Sequence, residues 1–144
     1  MKEVGTVGHG VDFGEELAVN HRQLREAAAT APPDTAGLGH ALRRHVQLLR
    51  RHVLPAVADG VPGGARVAAS DEVVLSRIEE EFGDSAAAER ERGRAQARRA
   101  AVLRDLVEVQ LDWEDRVLLP LLESETTWTV LEDLADHVRL ARQR

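Results

Sequence analysis

The chain has 144 residues, which is the size of one domain, and a net charge of −6. It contains no cysteine, which excludes disulfide scaffolds, thiol catalysis and cysteine-ligated metals, and leaves its six histidines and its carboxylates as the common metal ligands. The acidic charge, together with only four aromatic residues (two Trp, two Phe), argues against nucleic-acid binding. No apolar run is long enough for a membrane span or a signal, so we expect a cytoplasmic protein with no membrane partner.

Residues 1–11 are glycine-rich and are predicted to form a flexible lead-in. Asp12 and Glu15 have the spacing of an N-cap and its third-position acid, so they predict the start of a first helix. The pair Pro32 and Pro33 ends that helix, because proline disfavours helical geometry in the residue before it. One face of the predicted helix carries Leu17, His21, Leu24 and Ala28.

A second helix is predicted from about Leu38 to Ala58, and a third from about Arg66 to Phe82. Between them, glycines and Pro62 predict a turn over residues 60–64. The stripe of the second helix is Leu38, Leu42, His45, Leu49, His52 or Val53, and Ala56. The stripe of the third helix is Val67, Val74 or Leu75, Ile78 and Phe82.

Residues 83–99 are polar and charged, and we interpret them as a solvated connection with helical tendency. The fourth and fifth helices are predicted from about Arg94 to Leu122 and from about Thr126 to Arg142. The fourth carries Leu103, Val107, Gln110, Glu114, Val117 and Leu121 on one face, and the fifth carries Trp128, Leu131, Leu134 or Ala135, and Val138. The predicted fold is therefore all-α, an antiparallel up-down four-helix bundle over residues 12–123, with residues 124–144 as a C-terminal helix packing on it.

Part of the second helix is repeated in the fourth. The segment that ends at Pro55 matches the segment that ends at Pro120, and an apolar pair precedes each proline. His45 and Leu49 in the first copy correspond to Gln110 and Glu114 in the second. The simplest interpretation is that two helices end alike, since proline terminates or kinks a helix.

These segments resemble the hemerythrin-like, or HHE cation-binding, domain family over residues 12–123. The resemblance rests on His21-Arg-Gln-Leu24, Leu42-Arg-Arg-His45 with Pro55, the Pro62-Gly63-Gly64 turn, and Glu114-Asp115-Arg-Val-Leu-Leu-Pro120-Leu-Leu. In that family, the second and fourth helices each carry His-x-x-x-Glu before a proline, and the first and third each add a histidine. These side chains hold two non-haem irons inside the bundle.

The chain departs from the family pattern in both copies of the motif. Leu49 stands where helix two should carry Glu, and Gln110 stands where helix four should carry His. On helix three, the spacing of the apolar residues puts Glu72 where the family has a histidine. Residues four apart share a helical face, so a reduced inner site remains. The resemblance implies His21, His45, Glu72 and Glu114 as metal ligands, and Leu49, His52 and Gln110 as pocket residues.

This reduced set cannot form the histidine-rich di-iron site of a reversible O₂ carrier. One hypothesis is a single or weakly held non-haem metal, iron favoured, for redox, O₂, NO or small-molecule oxidative chemistry. The alternative is a metal-free bundle that binds a small organic molecule, with His and Glu as acid–base groups, or an accessory interaction protein. Glu72 is also explained as an acid near a helix N-terminus, and His52 as a surface residue. Enzymatic activity and oligomeric state stay open.

Overall fold

The structure is a computed structural model that describes residues 12–29, 35–82 and 94–142. Within these ranges every element is helical and there is no β-strand, so the all-α prediction is confirmed. None of the described helices is both long enough and apolar enough to cross a membrane. The predicted lead-in over residues 1–11, the helix end at Pro32 and Pro33, and residues 83–93 of the predicted connection lie outside the described residues.

The first helix, α1, covers Phe13–Ala29 and begins at the predicted cap, where the Glu15 backbone N–H donates to Asp12 Oδ1 at 3.1 Å. The second and fourth predicted helices are each a continuous rod in which a π-helical turn separates two α-helical parts. The second predicted helix consists of α2 (Thr35–Leu48), the first π turn (Leu49–Val53) and α3 (Leu54–Gly60). The fourth predicted helix consists of α5 (Arg94–Trp113), the second π turn (Glu114–Leu118) and α6 (Leu119–Glu125). The remaining helices are α4 (Gly64–Phe82) and α7 (Trp128–Arg142).

The two π turns occupy equivalent places in the repeated sequence, each directly before an apolar residue and a proline. Proline has no N–H, and its ring would clash with the carbonyl four residues earlier in an α-helix. The wider turn accommodates that ring, and the preceding residue bonds five residues back: Leu54 N–H to Leu49 O, and Leu119 N–H to Glu114 O. The repeat is therefore one of backbone structure as well as of sequence.

Each π turn also shifts the buried face of the helix beyond it. The spacing before the turn predicts Val117 and Leu121 on the inner face, but Leu118 and Leu122 are fully buried and Val117 is 46% exposed. The extra residue in a π turn moves the inner face on by one position. Val57 is likewise fully buried, whereas the predicted Ala56 is only half-buried.

The turn between α3 and α4 requires its glycines. Gly63 has a φ of +72°, which is strained for any residue with a side chain. A Cβ on Gly64 would lie 1.8 Å from the Val57 carbonyl oxygen, so only glycine allows this close approach. The predicted turn over residues 60–64 is confirmed, and it holds α4 directly against α3.

Packing around α1 brings the functional side chains together. Helix α1 contacts α2, α5 and α7, and α4 contacts α3 and α5. Helix α7 covers α1 and α2 with Leu134, Ala135 and Val138, whereas Trp128, predicted on the same apolar face, is exposed. The inner surfaces of α1, α2 and the second π turn share one apolar core that surrounds a small polar cluster.

Candidate metal site

Three predicted ligands converge in the interior: His21 from α1, His45 from α2 and Glu114 from the second π turn. Their exposed fractions are 0%, 3% and 0%. One potential ligand atom of each lies within 4.8 Å of the others, so the three could hold a metal ion. Burial of three such polar groups requires that they bind one another, a metal or both.

Glu114 is the centre of this group. Its Oε1 lies 2.8 Å from His21 Nε2 and 2.9 Å from His45 Nε2, and its Oε2 lies 3.0 Å from His45 Nε2. The two imidazole rings meet edge to face with their centroids 5.5 Å apart. One carboxylate thus faces a ring nitrogen of each histidine.

Asp115 binds the opposite side of the His21 ring, with its Oδ1 2.7 Å from His21 Nδ1. Consecutive side chains, Glu114 and Asp115, therefore reach both nitrogens of one imidazole from within the second π turn. Arg25 Nη2 donates to Asp115 Oδ2 at 3.3 Å, and Arg25 Nε donates to Glu108 at 3.1 Å. This chain of contacts fixes the orientation of the His21 ring.

Gln110 and Asp71 extend the cluster toward α4. Gln110 Nε2 donates to Glu114 Oε2 at 2.9 Å and to Asp71 Oδ2 at 3.2 Å. The amide therefore acts as a donor that orients Glu114, at the place where the family pattern has a histidine ligand. Asp71 is 4% exposed and belongs to the same buried network.

The network shifts three pKa values. Burial raises the pKa of Glu114, but the charge of His45 and the hydrogen bonds with His21 and His45 outweigh burial and lower it to about 2. Burial lowers the pKa of His21, but the hydrogen bond and charge of Glu114, followed by those of Asp115, raise it above its ordinary value. Burial and the nearby Glu114 charge raise the pKa of Asp71 from 3.8 to about 6.

Glu72 lies outside the cluster, contrary to the sequence-based expectation. Arg50 Nε binds both Glu72 carboxylate oxygens, at 2.7 and 2.9 Å, and the Glu72 side chain is 43% exposed. The buried residues Leu75 and Ile78 lie four and seven positions after Asp71, so Asp71 shares their face. The correct register places Asp71, one residue earlier, at the inner position of α4.

The three predicted pocket residues lie in different places: Leu49 in the apolar core, His52 against α7, and Gln110 in the buried cluster. Leu49 is fully buried in the apolar core, at the position that repeats Glu114. His52 stacks on His137 of α7, with ring centroids 3.5 Å apart and planes 12° apart, and does not join the three-residue group. Gln110 is in the cluster.

Sequence reasoning missed Asp71 and Asp115. The resemblance assigns no role to Asp115, although Asp115 follows the fully buried Leu111 by four positions, a spacing that places both on one side of the helix. The spacing of Asp71 from Leu75 and Ile78 is the signal that identifies it in the sequence.

Comparison with models of protein families, with curated proteins and with solved structures finds no match to this chain. Two imidazoles and one carboxylate are the donor set of mononuclear non-haem iron sites, which leave coordination positions open.

Proposed function

We propose that the chain is a hemerythrin-like four-helix bundle with an altered inner site, which binds a single non-haem metal, iron favoured. Its ligands are His21, His45 and Glu114, and its chemistry is redox, O₂, NO or small-molecule oxidative chemistry. The observation that carries the proposal is the convergence of these three buried side chains. The matched π turns support a repeat of the kind the family motif implies.

The donor atoms fit a metal of this class. Ligands bonded to one ion at about 2.0–2.2 Å lie roughly 3 to 3.5 Å apart. The His21 and His45 Nε2 atoms lie 2.8 and 2.9 Å from Glu114 Oε1, so a small outward movement would admit an ion between them. Two neutral imidazoles and one carboxylate suit a divalent metal with oxygen-tolerant ligation.

The contact of His21 with Asp115 supports the role of His21 as a metal ligand. A metal-ligating imidazole ordinarily donates its other N–H to a carboxylate, which fixes the tautomer and the ring orientation. His21 Nδ1 meets Asp115 Oδ1 at 2.7 Å, so Nε2 is the nitrogen left for the metal. A metal held by His21 Nε2 would take the place of the proton there, so the raised pKa of His21 would make metal affinity increase with pH.

When bound, iron supplies a redox couple and open coordination positions. The chain supplies a site shielded from bulk water, since His21, His45 and Glu114 are 0%, 3% and 0% exposed. Gln110 holds Glu114 by an amide hydrogen bond, and Asp71 beside it changes protonation near pH 6. A cation beside Glu114 lowers the pKa of Asp71, since it cancels the charge that raises it.

The test is metal stoichiometry after anaerobic Fe(II) loading of untagged protein, with Glu114→Gln and Glu72→Gln as a matched pair. We expect about one iron per chain in the wild type and in Glu72→Gln, since Glu72 binds Arg50 instead of the cluster. Glu114→Gln should retain little iron. Less than about a tenth of an iron per wild-type chain would contradict the proposal. If Glu114→Gln unfolds, Asp115→Asn provides the second variant, with a weakened but measurable site.

One observation favours a metal-free alternative, in which the cluster is a structural or acid–base network. Every oxygen of Glu114 already accepts a hydrogen bond within the protein, at 2.8 to 3.0 Å. In that case His21 and Glu114 stabilise the fold as an ion pair and are available for proton transfer. Iron loading separates the two functions, because only the metal site gives unfolding temperatures that rise with Fe(II).

A further inference from the structure

Two adjoining clefts lie beside the C-terminal helix α7: an outer cleft between α7 and α2 with its π turn, and an inner cleft where α1, α2 and α7 meet. The outer cleft has a volume of about 90 Å³ and the inner cleft about 50 Å³. Arg44, Leu48 and Ala141 line both clefts, so the clefts lie side by side; together they are called the groove. Its inner end is lined by His45, the same histidine that contacts Glu114.

The groove is cationic on a protein that is acidic overall. Among the residues that the structure describes, no Asp or Glu lines either cleft, whereas Arg44, Arg51 and His52 line the outer one, although the chain has a net charge of −6. Within the described ranges, no residue hydrogen-bonds or ion-pairs with the Arg51 guanidinium. Arg142 at the inner cleft is neutralised by Glu16, at 2.6 Å.

The stacked pair His52 and His137 forms one wall of the outer cleft. Asp133, on α7 itself, lies 3.6 Å from His137 Nε2, and its side chain is 70% exposed. Leu48 and the half-exposed Leu140 also line this cleft and give it an apolar side, in contrast to the histidine wall. A ligand that fits both sides combines an anionic group with a short carbon chain.

The inner cleft contains two unsatisfied polar atoms. His45 Nδ1 and Asn20 Oδ1 are buried and have no hydrogen-bond partner among the described residues. A buried polar atom without a partner is costly and calls for a ligand or a water. A hydroxyl suits this pair, because it can donate its proton to Asn20 Oδ1 while its oxygen accepts a hydrogen bond from His45 Nδ1–H.

We infer that this groove binds a small organic carboxylate with a hydroxyl at its far end, and presents that end to His45. The carboxylate meets Arg51 and the histidine wall, where a charge-assisted contact is strongest with a guanidinium. The carbon chain follows Leu48 and Leu140. The inference names a substrate class for the proposed function and rests on it for the chemistry, but binding itself needs no metal.

The probe is 4-hydroxybutanoate, titrated into metal-free, full-length protein and followed by NMR at constant pH. We expect millimolar affinity, about tenfold tighter than for the neutral 4-hydroxybutanamide, with perturbed signals from Arg51, His137 and His45. Arg51→Gln should weaken binding about tenfold, whereas Arg104→Gln, an exposed control on α5, should leave it unchanged.

Equal binding of the amide, an unchanged affinity in Arg51→Gln, or no binding would overturn the inference. So would inorganic phosphate binding as tightly as 4-hydroxybutanoate, since phosphate uses neither the apolar side nor the inner cleft. Because the titration is done without metal, failure of this inference is distinguishable from failure of iron loading.

Discussion

The two π turns have the same backbone and opposite chemistry. In the first, Leu49 is fully buried among apolar residues, and its neighbour Arg50 points to Glu72 on α4. In the second, the equivalent residues are Glu114 and Asp115, which bind both nitrogens of His21. Proline sets the geometry in both, whereas side-chain identity decides which turn carries polar chemistry.

This difference shows that one repeated backbone turn can carry polar side chains in one copy and apolar packing in the other. The first copy of the repeat contains His45 and the second contains Glu114, and these two side chains contact each other across the core. Gln110 occupies the place of the expected histidine and still serves the site, as a donor to Glu114. Together with His21 of α1, His45 and Glu114 form one set of two histidines and one carboxylate.

The largest effect on stability is expected from Glu114→Leu, which gives the second π turn the leucine that the first π turn has at the equivalent position. Removal of the central carboxylate leaves His21 and His45 buried without their acceptor, so the free energy of unfolding should fall by about 3–5 kcal/mol. Denaturant unfolding at pH 7 measures this loss. Glu108→Leu, at an exposed ion pair with Arg25, should cost no more than about 1 kcal/mol. Equal losses in the two variants would show that Glu114 is not the centre of a buried network.

The next prediction compares Asp115 of the second turn with Arg50, the equivalent residue of the first turn, by their effects on Fe(II) affinity. Asp115→Asn removes the carboxylate that fixes His21, so the Fe(II) affinity should fall by about 10- to 100-fold. Arg50→Gln breaks the contacts with α4 and should leave iron affinity unchanged. Competition with a metal-chelating dye measures both affinities. An equal effect of the two substitutions would contradict the inference that the second turn, and not the first, orients the His21 ligand.

The prolines test whether the π turn itself positions the ligands. Pro120→Ala restores a backbone N–H, which favours an α-helical turn and turns Glu114 and Asp115 relative to His21. We expect about a tenfold loss of iron affinity, whereas Pro55→Ala should change it less than about twofold. The same dye competition applies. Retention of full affinity in Pro120→Ala would show that the site does not depend on the π turn.

The smallest expected effect is that of Asp71 ionisation on the pH dependence of stability. Because burial raises its folded-state pKa from 3.8 to about 6, ionised Asp71 destabilises the fold, and stability should increase as pH falls from 6 toward 4. Glu114 acts in the opposite direction, since its stabilisation is present above pH 4.5 and is lost as pH falls toward about 2. Asp71→Asn should raise the stability of metal-free protein at pH 7 by about 1 kcal/mol.

Asp71→Asn should also flatten the rise in stability between pH 6 and 4.5, which thermal unfolding at several pH values measures. Above that range, the raised pKa of His21 adds a separate loss of stability as the pH increases, which the variant should keep. A variant that is less stable than the wild type at pH 7, with an unchanged pH profile, would contradict the ionisation of Asp71 in the buried network.

Much of the fold and half of the site follow from the sequence. Helical periodicity predicts the helices, and the inner positions of His21 and His45 follow from their stripes. The register after each π turn begins is not predictable in the same way, because the turn inserts a residue that a constant period omits. Asp115 is missed because the resemblance assigns a ligand role to its neighbour Glu114 alone. Glu72 is chosen over Asp71 because a one-residue error on α4 exchanges an inner for an outer carboxylate.

X-ray absorption at the iron edge of the Fe(II)-loaded, untagged protein tests the central claim most directly. A single iron held by His21, His45 and Glu114 predicts a shell of nitrogen and oxygen atoms with two imidazole ligands and no second metal. A second iron at about 3.5–4 Å, as in two-metal sites, or a spectrum without imidazole scattering would contradict the account.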